Sequence, residues 1–202
     1  LTYRVVDATG RAFALRRPPA GFKPQMGAHD VMREKRILSA LAGSAVPVPE
    51  VVGACSHDLV TGAPFYVMRW VEGAVVDHED KVASGIGGDP ARGQVAFNLV
   101  DALAKLHRCN PDALGLGDLG AREGYLDRQL NRWTQVWQSV KTRDLSIIES
   151  VQKLLVSKQP PQVYTGIVHG DFRLGNLMLA QDGTIAAILD WELCALGDVL
   201  LD

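Results

Sequence analysis

The most constraining feature of the sequence is a pair of short apolar runs, each of which ends in a carboxylate. Residues 163–168 are strand-like and lead into His169-Gly170-Asp171, and Asn176 follows five residues after that aspartate. A second apolar run, 185–189, ends at Asp190, fourteen residues beyond Asn176. A short strand and a turn between the two runs predict a hairpin. We therefore expect the two carboxylates and the asparagine amide to lie at one edge of that hairpin.

Phosphoryl transfer requires this combination of side chains. One carboxylate orients and deprotonates the attacking hydroxyl, while an amide oxygen and a second carboxylate hold Mg²⁺ on the phosphates of a nucleotide. A single aspartate after a strand is ordinarily a turn or cap residue, so no member of the set is informative alone. Together, the His-Gly-Asp motif, the asparagine and the second aspartate indicate a phosphotransferase site.

Composition limits the class of protein. With 202 residues, 47% hydrophobic and 22% charged, the chain resembles a globular protein and not a disordered tail, a fibre or a coiled coil. A net charge of −2 provides no broad basic face, so we expect no nucleic-acid partner. We find no signal peptide and no apolar run near the ~18 residues of a membrane span, so we expect no membrane association. Three widely spaced cysteines predict reduced thiols in a cytoplasmic protein.

The periodicity of the apolar residues predicts two lobes. Strands over 1–6, 11–17 and 64–71, with one helix over 28–42, form a small N-terminal lobe over residues 1–71. The pattern then becomes mainly helical, and residues 72–202 are predicted to form a larger C-terminal lobe that carries the hairpin. The sequence therefore predicts an α+β fold. We also expect both ends of a longer protein to be missing, because the first residue is not Met and the last lies in an apolar stretch.

Two features of the C-terminal lobe carry further predictions. Residues 77–92 are rich in glycine and charge and are predicted to form a mobile loop. Three apolar stripes at helical spacing follow. The second stripe contains Trp133 and Trp137, which we interpret as core residues, although a role as a ligand wall in the substrate cleft stays open.

Four segments of the chain match a known family. They are Leu15 to Gly21, Phe65 to Met68, His169 to Asn176 and Leu189 to Leu193. With them the sequence resembles the aminoglycoside phosphotransferase / choline kinase-like family, a branch of the protein-kinase-like fold. Within that family it is similar to the kinase-like domains related to acyl-CoA dehydrogenase family members. The resemblance implies ATP and Mg²⁺ as cofactors.

The resemblance also implies roles in the C-terminal lobe. Asp171 would be the catalytic aspartate, and Asn176 and Asp190 would bind Mg²⁺. His169 would be a structural member of the loop, and Asp202 would anchor that loop through its backbone N–H groups.

In the N-terminal lobe, the resemblance places Arg16 where protein kinases use a lysine to hold the α/β-phosphates, and Glu34 where they use its carboxylate partner. Arg is not a neutral replacement for Lys, so turnover could survive, fall or be lost. Two solvated cations at the strand end and a surface salt bridge of Glu34 are the alternatives. Met68, Arg69 and Val71 would form the hinge, with Met68 behind the adenine and two backbone groups bonding its edge.

These expectations define a function with alternatives. The chain is expected to be an ATP-dependent phosphotransferase that acts on a hydroxyl of a small molecule, either aminoglycoside-like or of a hydroxyacyl/CoA type. A nucleotide-binding pseudokinase or regulatory module is the main alternative, and a domain that binds no nucleotide is the other. The sequence does not predict the oligomeric state.

Overall fold

A computed structural model describes residues 1–19, 30–77 and 89–202 of the chain. In its N-terminal part, a four-stranded antiparallel sheet has the order β1-β2-β4-β3. The strands span Thr2–Val6 (β1), Ala12–Arg16 (β2), Val51–Cys55 (β3) and Phe65–Arg69 (β4). In the register of β2 with β4, Ala14 lies opposite Met68, and both side chains are buried. The three strands predicted for this part of the chain are confirmed as β1, β2 and β4.

Helix α1 spans Val31–Leu41 and packs beside this sheet. Its first turn is capped by Asp30, whose carboxylate accepts hydrogen bonds from the backbone N–H groups of Met32 and Arg33 at 3.1 and 3.0 Å. Residues 28 and 29 of the predicted helix lie outside the described residues. The predicted inward stripe is confirmed, and its buried members are Val31, Glu34, Ile37, Leu38 and Leu41.

Three longer helices follow: α2 over Asp89–His107, α3 over Tyr125–Val140 and α4 over Ser146–Ser157. The prediction of a loop over 77–92 is wrong for its last four residues, which belong to α2. A proline at the second position of this helix suits its first turn, where no intrahelical N–H bond is lost. Residues 78–88 of the predicted loop lie outside the described part. None of the helices that the structure describes is long and apolar enough to cross a membrane.

Two small antiparallel sheets complete the fold. Strand β6, Leu177–Leu179, pairs with β7, Ile185–Ile188, which confirms the predicted hairpin. Strand β5, Thr165–Val168, pairs with β8, Ala195–Asp198. The sequence analysis missed β8 because its four residues contain no β-branched or aromatic side chain.

The segment after β4 lies against the hairpin. Ala74 and Leu179 exchange two backbone hydrogen bonds of 2.8 and 2.9 Å. The neighbouring Gly73 has φ +151°, and a Cβ there would lie 2.6 Å from the Leu179 carbonyl oxygen. Only glycine tolerates both conditions, so this close approach depends on it.

The apolar stripes of α3 and α4 are less buried than predicted. Tyr125 is the only buried residue of α3, and α4 has none. Trp133 is 59% exposed, so its interpretation as a core residue is wrong. The helical periodicity is present, but most of the apolar side chains of these two helices are exposed.

Candidate active site

The loop after β5 is held by a buried histidine. His169 is fully buried, and its Nε2 lies 2.9 Å from the Leu189 carbonyl oxygen. The Asp171 backbone N–H donates to Nδ1 at 3.3 Å, and the Trp191 ring packs edge-on at 4.7 Å between centroids. Since Nδ1 accepts, Nε2 must carry the proton of a neutral ring. Burial lowers the pKa of His169 and favours this neutral form.

Asp202 anchors the same loop from the other side. Its carboxylate accepts hydrogen bonds from the backbone N–H groups of His169 and Gly170 at 2.8 and 2.7 Å. Nε2 of His107, at the end of α2, lies 3.0 Å from it. Burial acts to raise the pKa of Asp202, but these hydrogen bonds outweigh burial and lower it. The contacts are those that the resemblance implies for the anchoring aspartate.

Gly170 fits its position for a steric reason. Its φ is +86°, and a Cβ there would lie 2.8 Å from the Leu193 carbonyl oxygen. Both the backbone conformation and the close approach exclude a side chain. The loop thus turns sharply between His169 and Asp171, which leaves the Asp171 side chain 42% exposed.

The Asp171 carboxylate is oriented by two donors. Asn176 Nδ2 donates to Asp171 Oδ2 at 2.7 Å and to its backbone carbonyl at 2.9 Å. Arg173 Nε donates to the same Oδ2 at 3.2 Å. Within the described residues, Oδ1 of Asp171 has no hydrogen-bond donor, so it is available to a hydroxyl group. Sequence reasoning missed Arg173, although its position two residues after the predicted catalytic aspartate was a usable signal.

Asn176 and Asp190 lie together at the end of the hairpin. The backbone N–H of Leu189 donates to the Asn176 carbonyl at 2.8 Å, and both predicted metal ligands line one cavity of about 200 Å³. Because the Asn176 N–H groups face Asp171, its Oδ1 remains as an acceptor. Among the described residues, no group of three or more His, Cys, Asp or Glu could hold a metal unaided. Two hard oxygen donors without a complete protein cage fit Mg²⁺ that also binds phosphate oxygens.

Arg16 joins the sheet to this hairpin. Its Nε lies 2.7 Å from Glu34 Oε2, and its Nη2 lies 2.6 Å from Asp190 Oδ1. The Glu34 side chain is only 3% exposed, which rules out the alternative of a surface salt bridge. Burial raises the pKa of Glu34, and the Arg16 guanidinium counteracts part of that rise. The second Glu34 oxygen accepts from the Trp191 backbone N–H at 3.3 Å.

The predicted hinge residues lie at and after the end of β4. Met68 is buried and lines the same cavity as Arg16 and Asp190. Arg69 is the last residue of β4, and Val71 follows two residues later, outside the strand. The Arg69 side chain forms an ion pair with Glu50 at 2.5 Å. The positions suit a hinge, while nucleotide contacts of Arg69 and Val71 stay a prediction.

Helix α1 is tied to the C-terminal part by two further arginines. The Arg33 guanidinium donates to the backbone carbonyl of Cys194. Arg36 Nη1 donates to Asp118 at 3.0 Å. The Arg33 bond holds the helix that carries Glu34 next to the segment that follows Asp190, and the Arg36 bond links it to the loop between α2 and α3. These two bonds could not be predicted from the sequence, because each partner is more than 80 residues away along the chain.

A second, larger groove lies beside the loop that carries Asp171. Its volume is about 660 Å³, and it lies between α3, α4 and the end of β5. Apolar side chains dominate its lining, and its charged members are the cations Arg132 and Lys158. Trp133 contributes to this lining, as the ligand-wall alternative required. The lining residues are Tyr125, Leu126, Gln129, Leu130, Arg132, Trp133, Leu154, Leu155, Lys158, Gln159, Pro160, Val168, Gly170, Leu193 and Leu201.

Comparison with a protein-family model settles the family. The model described as "Phosphotransferase enzyme family" matches residues 1–202. The chain belongs to this phosphotransferase family. Its structure is similar to that of a candidate aminoglycoside phosphotransferase from Ralstonia eutropha JMP134, with a TM-score of 0.82 and 32% identity. That match covers 98% of this chain and 57% of the other, and it confirms the α+β kinase-like fold.

Curated relatives support the closer resemblance. The chain is 34% identical over 195 residues to acyl-CoA dehydrogenase family member 10 of Mus musculus, covering 95% of this chain and 18% of the relative. It is 33% identical over 190 residues to family member 11 of Homo sapiens, covering 93% and 24% respectively. The chain thus spans about a fifth to a quarter of the length of these relatives. A structure of an aminoglycoside phosphotransferase with GDP and kanamycin, 21% identical with a TM-score of 0.69, shares the fold.

Proposed function

We propose that this chain is the kinase-like part of an ATP- and Mg²⁺-dependent phosphotransferase that acts on a hydroxyl group of a small molecule. The main support is the hydrogen bond from Asn176 to Asp171, together with the position of Asn176 beside Asp190. Together these two observations bring a candidate base and two candidate metal ligands into one site, as phosphoryl transfer requires.

In the proposed reaction, Asp171 orients the acceptor hydroxyl and accepts its proton. The acceptor oxygen bonds to the γ-phosphorus, the bond from that phosphorus to the bridging oxygen breaks, and ADP leaves. Asn176 and Arg173 fix the carboxylate so that its free oxygen faces the acceptor. Mg²⁺, when held by Asn176 and Asp190, neutralises charge on the phosphate oxygens.

The large groove favours one of the two predicted acceptor classes. Aminoglycosides are polycations and require an acidic wall, but no acidic side chain of the described residues lines this groove. Its apolar walls suit an acyl chain, and Arg132 and Lys158 suit the phosphates of a CoA group. The similarity to acyl-CoA dehydrogenase family members agrees with this choice. We therefore propose a hydroxyacyl or CoA-type acceptor.

The test is ATP-dependent ADP release by the full-length protein with kanamycin and with hydroxyacyl-CoA thioesters of increasing chain length. We expect release with the thioesters and none with the Asp171→Asn variant. Trp133→Ala should raise KM for the thioester, whereas Phe97→Ala, an exposed change on α2 outside the groove, should not. Release with kanamycin alone would overturn the proposed acceptor class.

The pseudokinase is kept as a second candidate because Arg16 contacts the proposed metal ligand Asp190. A pseudokinase predicts that Mg·ATP raises the melting temperature while no acceptor of the panel yields ADP. Release of ADP with any hydroxyl acceptor would exclude it.

A further inference from the structure

The guanidinium of Arg16 bonds two carboxylates from different parts of the fold. Arg16 lies on β2, Glu34 on α1, and Asp190 two residues after the end of β7. The two N···O distances, 2.7 and 2.6 Å, are those of strong charge-assisted hydrogen bonds. Burial acts to lower the pKa of Arg16, but the two carboxylates outweigh it and raise the pKa, so the side chain stays charged.

The two partners of Arg16 differ in their freedom. Glu34 is almost completely buried and also bonds the Trp191 backbone, so its position is fixed. The Asp190 side chain is 37% exposed. The ion pair with Arg16 is the only hydrogen bond to its carboxylate from the described residues. Of the two contacts of Arg16, the one with Asp190 is therefore the more accessible to solvent and the easier to exchange.

The backbone conformation of Asp190 is one that its surroundings must hold in place. Its φ is +62°, and it is the only non-glycine residue with a positive φ in the described part of the chain. Such conformations are disfavoured and persist only where surrounding contacts hold them. The bond from Arg16, 174 residues away in the sequence, holds the side chain of this residue towards the sheet.

From these contacts we propose that Arg16 is a displaceable counter-ion of the cation site formed by Asn176 and Asp190. Without a cation, Nη2 of Arg16 neutralises Asp190. When a divalent cation takes Asp190 Oδ1, Nη2 is released and Nε stays on Glu34. The released N–H groups then lie beside the cation site, where they can bind the phosphates that accompany the cation.

This role depends on the geometry of arginine. A guanidinium presents separate N–H groups in a fixed fork and can bond two carboxylates at once, whereas a lysine ammonium is a single point charge. The competition also couples the binding of the cation to the binding of phosphate. A bare cation must break the ion pair of Arg16 with Asp190, whereas a cation that arrives with phosphate supplies Arg16 with a new partner. The inference rests on the proposed function only in placing the cation at Asn176 and Asp190.

Mn²⁺ binding to the full-length protein, measured by electron paramagnetic resonance without nucleotide, tests the proposal. Arg16→Lys retains a charge for Glu34 but lacks the fork that holds each carboxylate on a separate nitrogen, so it should compete less with a cation for Asp190. We therefore expect this variant to bind Mn²⁺ at least ~5-fold more tightly than the wild type. A non-hydrolysable ATP analogue should tighten Mn²⁺ binding more in the wild type than in Arg16→Lys. Arg17→Lys is the matched control, because among the described residues the Arg17 side chain bonds only to the backbone carbonyls of Pro18 and Thr61.

The outcomes separate this inference from the proposed function. If Mn²⁺ binds the wild type and Arg16→Lys equally, and Asp190→Asn abolishes binding in both, the counter-ion role is overturned while the cation site stands. If no variant binds Mn²⁺ with or without the analogue, both are overturned. A matching gain in Arg17→Lys would also overturn the counter-ion role, because that residue does not contact Asp190.

Discussion

The amide nitrogen of Asn176 lies 2.7 Å from the carboxylate of Asp171, so the two most informative residues of the sequence motif are direct partners. The same amide nitrogen also bonds the Asp171 backbone, which fixes the loop and the side chain together. The amide nitrogen of Asn176 orients the candidate base, and its amide oxygen remains available to a cation. The five-residue spacing in the motif therefore reflects one hydrogen-bonded turn.

Replacing Asp171 with Asn should remove the base without disturbing the nucleotide site. We expect turnover to fall by ~10²–10⁴, the usual contribution of a general base, while ATP affinity changes little. Steady-state kinetics and calorimetric ATP titration measure the two effects. Asp182→Asn is the matched control, because among the described residues the exposed Asp182 side chain bonds only to Thr184 of the hairpin turn. Unchanged turnover in Asp171→Asn would refute the assignment.

Gly170→Ala should destabilise the protein more than Gly10→Ala does. The two glycines have nearly the same φ, +86° and +85°, but a Cβ at Gly10 meets no atom within 4 Å. Gly10→Ala should therefore show only the strain of the backbone, about 1–2 kcal/mol. Gly170→Ala adds a clash with the Leu193 carbonyl. Urea unfolding of both variants measures the difference, and equal losses would show that the close approach is unimportant.

The buried His169 makes stability depend on pH. Its pKa is lowered from the ordinary value of 6.5, so below that pH the unfolded chain binds a proton that the folded chain resists. The free energy of unfolding should therefore fall as the pH drops below about 6.5. Melting temperatures across this range measure the effect. His169→Gln should flatten the pH dependence of the melting temperature, whereas His57→Gln, at an exposed position, should keep it. An unchanged pH dependence in His169→Gln would show that His169 is not its cause.

The fold and the core of the site were largely predictable because both depend on local patterns. The strand, motif and hairpin around Asp171 and Asp190 are short-range features of the sequence. The bond from Arg16 to Asp190 was not predictable, because it requires two distant segments and an unusual backbone conformation at Asp190.

The helices of the C-terminal part show what apolar periodicity does not predict. Periodicity located α3 and α4 correctly, but it cannot show whether an apolar face is covered. Trp133 was interpreted as core because it lies on such a stripe, and it is instead a wall of the large groove. A stripe thus predicts the helix and its apolar face, and only the tertiary structure shows what that face contacts.

We propose that Asp190 helps to hold a metal-bound nucleotide beside Asp171. Calorimetric titration of Mg·ATP into the full-length wild type and into Asp190→Ala measures this contribution, with Asp182→Ala as the control. We expect clear binding to the wild type and to the control, and binding at least ~10-fold weaker to Asp190→Ala, because a ligand of the hard cation is lost. Equal affinity in all three proteins would contradict it.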